Sequence, residues 1–225
     1  MKIAVLGGGG TGQALAAAFA NSGHSVTLGI RAPIGDSLTM PRPQGKPLAD
    51  WTKDTGIAVV TLQDAAAGAE VIVNATLATG SIEALTTAGV DKMSGVIVID
   101  VANPVDFSKP FPHPNLPAYS GDTSLGEQIQ AAFPLARVVK AFNTLGVQVM
   151  VDPGLIGEPH DLFVAANDAQ AKAVVMDLAR SLGWTRLQDM GDIKGARAME
   201  MFILIWLQIM SVTNGSLHNL HVAQA

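Results

Sequence analysis

Apolar residues in this chain gather into short unbroken runs, each followed by a turn and then by helix formers. Residues 2–6, 25–28, 57–60, 70–74, 95–100, 136–140, 161–166 and 184–187 read as strands. Between them, residues 13–20, 64–67, 80–87, 124–132 and 169–182 read as helices, with a last helix beginning after Gly195. In the helix over 169–182 the apolar positions Val174, Val175, Leu178 and Leu182 recur at three- and four-residue steps. Repeated apolar strands separated by helices predict strands covered on both faces. Such strands build a mostly parallel sheet in a doubly wound α/β fold. No internal repeat interrupts this order.

Two stretches break the pattern. Pro33, Pro41, Pro43 and Pro47, with Gly35 and Gly45, leave little room for a long helix over residues 31–47 and predict a surface loop. Residues 107–117 carry four prolines and predict a second loop. The expected organisation is one large α/β domain over residues 1–190 and a small helical portion over 191–225.

The first strand runs straight into Gly7-Gly8-Gly9-Gly10-Thr11-Gly12. Gly7, Gly9 and Gly12 have G-x-G-x-x-G spacing between a strand and a helix, the context that gives this motif meaning. Gly7 permits the tight turn, Gly9 lets a pyrophosphate approach the backbone, and Gly12 lets the helix pack close to the strand. The unpaired N–H groups at the helix start then face the phosphates. A purely structural turn is the competing reading.

Composition narrows the partners. The 225 residues are 48% hydrophobic and 15% charged, ample for a packed core. Fourteen basic against nineteen acidic residues give a net charge of −5 with no basic stripe, which argues against nucleic acid. The chain has no cysteine, which removes disulfides, thiolate catalysis and iron–sulfur clusters. A strand running at once into a glycine bend is not a signal-peptide layout, so a cytoplasmic location is expected. The most apolar segment, residues 199–210, is interrupted by Glu200 and Gln208 and falls short of the about 20 apolar residues that span a bilayer. Its expected role is homodimerisation, with burial inside one subunit as the alternative.

In a doubly wound sheet, ligands sit beyond the carboxyl ends of the strands. The second strand ends Leu28-Gly29-Ile30-Arg31 with no acidic side chain to hold free ribose hydroxyls. Arg31 is instead suited to the 2′-phosphate of NADP; a solvated charge, or one paired with Asp36, is the alternative. After the fourth strand, Ala75 permits close approach of the nicotinamide ribose, and Asn74 or Thr76 can contact ribose or amide oxygen. A helix-start role for Thr76 or Thr79 competes. Asn103 and Pro104 can wall the nicotinamide site, while Asp100 can hold that turn through backbone hydrogen bonds. Asn143 can orient an oxygen of the hydride acceptor. Lys140 is a candidate proton donor but suits an electrostatic anchor better, and Phe142 suits packing. His160 with Asp161, and His218 with His221, form no metal motif, and no nucleophile elbow occurs.

These segments carry a family resemblance. The run from Ile3 to Gly12, Thr27-Leu28-Gly29-Ile30-Arg31, Lys140-Ala141-Phe142-Asn143-Thr144, and Gly191-Asp192 followed by Arg197 and Glu200 resemble the NADP-dependent coenzyme F420 oxidoreductases across almost the whole chain. The resemblance implies a Rossmann domain with a small C-terminal portion, and direct hydride exchange between nicotinamide and a deazaflavin. It assigns the phosphates to Gly9, Gly10, Thr11 and Gly12, the 2′-phosphate to Arg31, the nicotinamide side to Thr76 and Leu77, and the acceptor border to Asn103, Pro104 and Asn143. Ile30 departs from a serine common in the family, Leu77 from an aromatic, and residues 31–47 are shortened. Such chemistry needs no dedicated nucleophile, because the two rings carry it. Other acceptors stay open: a flavin, a quinone, a ferric chelate, or a carbonyl or imine for which Lys140 or His160 would have to supply a proton. A dinucleotide sensor without turnover is the non-enzymatic alternative.

Overall fold

The computed structural model describes residues 1–223; the last two residues of the expected C-terminal portion lie outside the described residues. The chain order is β1 (Lys2–Leu6), α1 (Gly10–Asn21), β2 (Ser25–Ile30), α2 (Asp36–Thr39), α3 (Leu48–Thr55), β3 (Val59–Thr61), α4 (Leu62–Ala66), β4 (Val71–Asn74) and α5 (Ser81–Ala88). It continues through β5 (Ile97–Asp100), α6 (Leu125–Ala132), β6 (Arg137–Ala141), α7 (Val147–Val151), β7 (Leu162–Ala166), α8 (Ala169–Ser181), β8 (Leu187–Asp189) and α9 (Ala196–Thr213).

One eight-stranded sheet has the order β3-β2-β1-β4-β5-β6-β7-β8. Strands β1 to β6 pair in parallel, β7 is antiparallel to β6, and β8 follows β7 in parallel. The expected doubly wound, mostly parallel sheet is therefore present. From β1 the chain goes to β2 on one side and returns through β3 to β4 on the other, so the switch point lies beyond the end of β1.

Both faces are buried, as the apolar strands separated by helices predict. Ile3 and Val5 of β1 pack with Leu15, Phe19, Leu28, Trp51 and Val73 on one face. Ala4 and Leu6 pack with Leu62, Ile72, Leu85, Val98 and Val138 on the other. The register brings Leu6 opposite Asn74, Asn74 opposite Asp100, and Asp100 opposite Lys140, which sets three polar residues in a row across neighbouring strands.

The proline-rich stretch holds only the four-residue α2, but α3 follows it and the sequence pattern does not announce it. Pro47 sits just before its first turn, where a missing N–H costs nothing, and Leu48 and Trp51 anchor it. The last strand starts later than expected, because Trp184 turns into the core and donates its indole N–H to Met150 O at 3.1 Å. The apolar C-terminal segment is longer than expected. With the turn before it, the helix runs 21 residues from Ile193 to Thr213 and is apolar enough, by length and composition alone, to cross a membrane. Its Met199, Glu200, Ile203, Trp206 and Leu207 nonetheless face the interior of this fold.

The tail after α9 is stitched to the start of β7 by a buried carboxylate. Asp161 accepts hydrogen bonds from Arg186 Nε (2.9 Å), Gln188 (3.2 Å), His221 (3.1 Å) and the Val222 amide (2.6 Å). Burial pushes this carboxyl upward, but the donors outweigh burial and hold it below the ordinary carboxylate range. A depressed pKa contributes stability above the unfolded value and loses it as pH falls through the folded one. Asp161→Asn is expected to cost about 1.5–3 kcal/mol at pH 7. Thermal melts should show the gap to wild type shrinking as the pH drops below about 4; a constant gap would refute the linkage.

Candidate functional site

The glycine bend after β1 is shaped by three close approaches. Gly7 adopts φ +123°, and a Cβ there would collide with the Ala75 carbonyl. A Cβ on Gly12 would collide with the Gly7 carbonyl, and one on Gly10 with that of Gln44. Gly9 is different: its φ of −78° suits any residue, and a Cβ there would meet nothing within 4 Å. Neither conformation nor packing requires glycine at this position. An open face at the helix start, kept free of any side chain, is what a pyrophosphate approaching the backbone demands. The bend therefore fits a dinucleotide. The amides of Thr11 and Gly12 have no partner within the chain among the described residues, while Gly10 N–H donates to Pro43 O at 3.0 Å.

Arg31 follows the buried end of β2, next to the bend, since Gly7 N–H donates to Gly29 O at 3.0 Å. Arg31 is exposed and makes no ion pair among the described residues; Asp36 is not its partner. Its guanidinium is thus available to a ligand. Ala75 lies against Gly7 and Gly12, as the close-approach reading requires, and Leu77 is 65% exposed at the lip.

Asn74 is placed behind the cleft rather than in it. Its side chain is fully buried, donating to Ser81 Oγ (3.0 Å) and Asp100 Oδ1 (2.9 Å) and accepting from Thr76 Oγ1 (2.6 Å). It orients Thr76 and has no amide group left for ribose. Asp100 Oδ1 also accepts the Ala102 amide at 3.2 Å, which holds the turn leading to Asn103 and Pro104.

The polar row continues into Lys140. Its ammonium is wholly buried, 2.7 Å from Asp100 and 2.9 Å from Glu200 of α9, and donates to Ala102 O at 2.5 Å. Burial alone would push the lysine pKa down, but the two carboxylates outweigh it and raise it above its ordinary value. Burial likewise raises the Glu200 carboxyl, against the pull of Lys140. Glu200 also accepts the amides of Leu125 (2.8 Å) and Gly126 (3.0 Å) at the start of α6, where a negative charge is favoured. Lys140 is therefore an anchor joining sheet, turn and last helix. Glu200 was not among the residues expected at the site; an acid inside an otherwise apolar helix was the available signal.

Asn103 and Asn143 meet through reciprocal bonds. Asn143 Nδ2 donates to Asn103 Oδ1 at 2.9 Å, and Asn103 Nδ2 donates to Asn143 O at 2.6 Å. Asn143 Nδ2 also reaches Met199 O at 3.0 Å, while its Oδ1 and the neighbouring Thr144 Oγ1 are buried without a partner. Phe142, just before this pair, sits at φ +63° with its ring buried in the core. Left-handed backbone is costly for an aromatic residue and marks a turn held by its surroundings. His160 is far from a proton-donor role: its ring accepts from Asn219 at 2.9 Å and meets Pro153 O at 3.0 Å, so both nitrogens are occupied.

A doubly wound sheet with an open glycine bend at its switch point defines a Rossmann-type dinucleotide-binding protein. Residues 2–104 match the family described as NADP oxidoreductase, coenzyme F420-dependent. A structure from Arthrobacter sp. FB24, provisionally named an F420-dependent NADP reductase, superposes with TM-score 0.92 at 42% identity over 100% of both chains. A hypothetical protein of Sinorhizobium meliloti superposes with TM-score 0.68 at 27% identity over 90% of each chain. The F420-dependent NADP reductase of Methanocaldococcus jannaschii is 28% identical over 130 residues, 56% of this chain and 56% of that protein. The chain belongs to the F420-dependent NADP oxidoreductases, a family of NADP(H)-dependent oxidoreductases.

Replacing Lys140 by Met is expected to leave Asp100 and Glu200 buried and uncompensated, costing about 3–5 kcal/mol. Adding Glu200→Gln on that background should recover part of the loss, because it removes one of the two orphaned charges. Denaturant melts of the two single variants and the double variant measure this coupling; additive losses would refute it.

Proposed function

We propose that this protein transfers a hydride between NADP(H) and a deazaflavin of the F420 type or a flavin. The observation that carries the reading is Gly9, a glycine that the fold itself does not need. Arg31 supports the phosphorylated cofactor, since an unpaired guanidinium stands where NAD-binding chains place an acid. With both partners bound, the two rings would supply the chemistry, a hydride passing between nicotinamide C4 and deazaflavin C5 in either direction. The chain's share is positioning: Thr76 is held by Asn74, and the Asn103–Asn143 pair fixes the opposite wall. Placing reacting atoms within about 3–3.5 Å is where such a site obtains most of its rate.

Reduction of a carbonyl or imine is the weaker reading, because both proton donors it would use are committed elsewhere. Lys140 is sealed in its ion cluster, and His160 has both nitrogens engaged. A panel of deazaflavin, flavin, quinone, ferric chelate and carbonyl acceptors, run with NADPH and with NADH, decides between them. Fastest turnover with NADPH and deazaflavin or flavin is expected; tight binding with no turnover on any acceptor would favour a sensor.

Gly9→Val separates binding from folding. Its backbone angles and open surroundings predict a melting temperature lowered only slightly, by the poorer N-cap that Val makes for α1, while calorimetry should show NADPH affinity lowered about a hundredfold or more by loss of phosphate approach. Unchanged affinity would overturn the reading. Arg31→Ala should cost about 1.5–3 kcal/mol in NADPH binding and leave NADH binding nearly untouched.

We also propose a homodimer formed through α9. Ala198, Met201, Ile205, Gln208 and Val212 are exposed and recur at steps of three and four, a seam suited to a second helix. Met201, Ile205 and Val212 are 55%, 51% and 69% exposed, which is unusual for large apolar side chains on one stripe. Light scattering should report a dimer for the wild type and a monomer for Ile205→Glu. A wild-type monomer at micromolar concentration would refute the seam.

A further inference from the structure

The segment that the sequence pattern marks as a loop folds back onto the glycine bend and is fastened there. Gln13, the fourth residue of α1, is only 4% exposed although it is an amide. Its Nε2 donates to Lys46 O at 2.8 Å and to Gly8 O at 3.0 Å, and its Oε1 accepts the Lys46 amide at 3.0 Å. One side chain thus mimics a strand partner for Lys46 and clasps residues 42–46 to the bend. Gly45 is glycine for the same reason: a Cβ there would sit 2.8 Å from the Gln13 amide nitrogen. Held in this way, the strap delivers the Pro43 carbonyl to the Gly10 amide at 3.0 Å.

Gly10 is the first residue of α1, and its N–H is one of the amides that a pyrophosphate oxygen would take. We infer that Gln13 is a positioning residue whose clasp on residues 42–46 makes the Pro43 carbonyl a competitor of the cofactor phosphate for the Gly10 amide. This inference rests on the dinucleotide reading of the bend. Two features keep the fastened strap easy to displace. Gln44 lies at φ +54°, a left-handed conformation that a non-glycine residue adopts at a cost. Arg42 donates one guanidinium nitrogen to Ser37 O, yet its Nε is buried with no acceptor. An unpaired buried donor is a penalty carried only while the strap is down. Ser37 in turn donates to Ala32 O, next to Arg31.

The test uses two variants that undo the clasp from opposite sides. Gln13→Leu removes the amide and keeps an apolar side chain on α1; Gly45→Ala pushes the strap off while Gln13 stays intact. NADPH binding is followed by stopped-flow fluorescence and calorimetry on full-length protein, with melting temperature as the folding control. Both variants should bind faster and about two- to tenfold tighter than wild type, the range of one net hydrogen bond released. For Gly45→Ala, KM for NADPH should fall without a matching fall in kcat, a split that a merely structural role would not produce. Equal or weaker binding in both variants, with wild type binding normally, overturns the competition and leaves the dinucleotide reading standing. Wild type binding no pyridine dinucleotide at all overturns the dinucleotide reading instead. A variant that fails to fold leaves the other to decide, since each breaks the clasp alone.

Discussion

Three backbone segments meet beyond the end of β1 at distances that leave no space for side chains. The turn at Gly7 lies against the Ala75 carbonyl, the start of α1 at Gly12 lies against the Gly7 carbonyl, and Gly10 lies against Gln44. This crowding follows from the switch point, where the chain must leave β1 for a helix while β2 and β4 flank it on either side. The residues proposed to hold the cofactor are arranged around it. Arg31 comes from the strand on one flank, and Ala75, Thr76 and Leu77 come from the loop on the other. Small residues are demanded wherever backbone meets backbone, and an open face remains at the one point where neither demand applies.

The neighbourhood of Asn103 and Asn143 depends on a different force. Register sets Asn74, Asp100 and Lys140 side by side, and Glu200 reaches in from α9 to complete a buried charged cluster. Buried charges of this kind are weak contributors to net stability but strict about geometry, because any displacement strands a charge in a low-dielectric interior. The same cluster grips Ala102 O and the first amides of α6. The last helix, the turn carrying Asn103, and the lip carrying Thr76 are thereby tied into one rigid frame.

Much of the fold was legible because its dominant signal is local. Each of the eight expected strands has a counterpart in the sheet, although the last meets its expected range only at Leu187. The direction of β7 was not legible, since an antiparallel last pair has the same composition as a parallel one. Helix α3 was hidden by its own capping proline, which reads as loop when counted with the prolines upstream. At the site, glycine spacing pointed to the bend, but the partners of long-range polar groups did not show in the sequence. Gln13 looks like an ordinary helix residue until Lys46, 33 positions away, is found against it. Glu200 looks like an interruption in an apolar helix until Lys140 is found beneath it. Asn74 belongs to the same class: a polar residue at a strand end whose inward aim depends on register.

The open side of Gly9 has a consequence for the descent of this fold. Mutation at Gly7, Gly10 or Gly12 is opposed by folding itself, whatever the protein is used for. Mutation at Gly9 is opposed chiefly by use. In a lineage that kept this architecture but abandoned its nucleotide, the third residue of the bend would be the first to drift, and a bulkier residue there would be the fossil of a lost ligand.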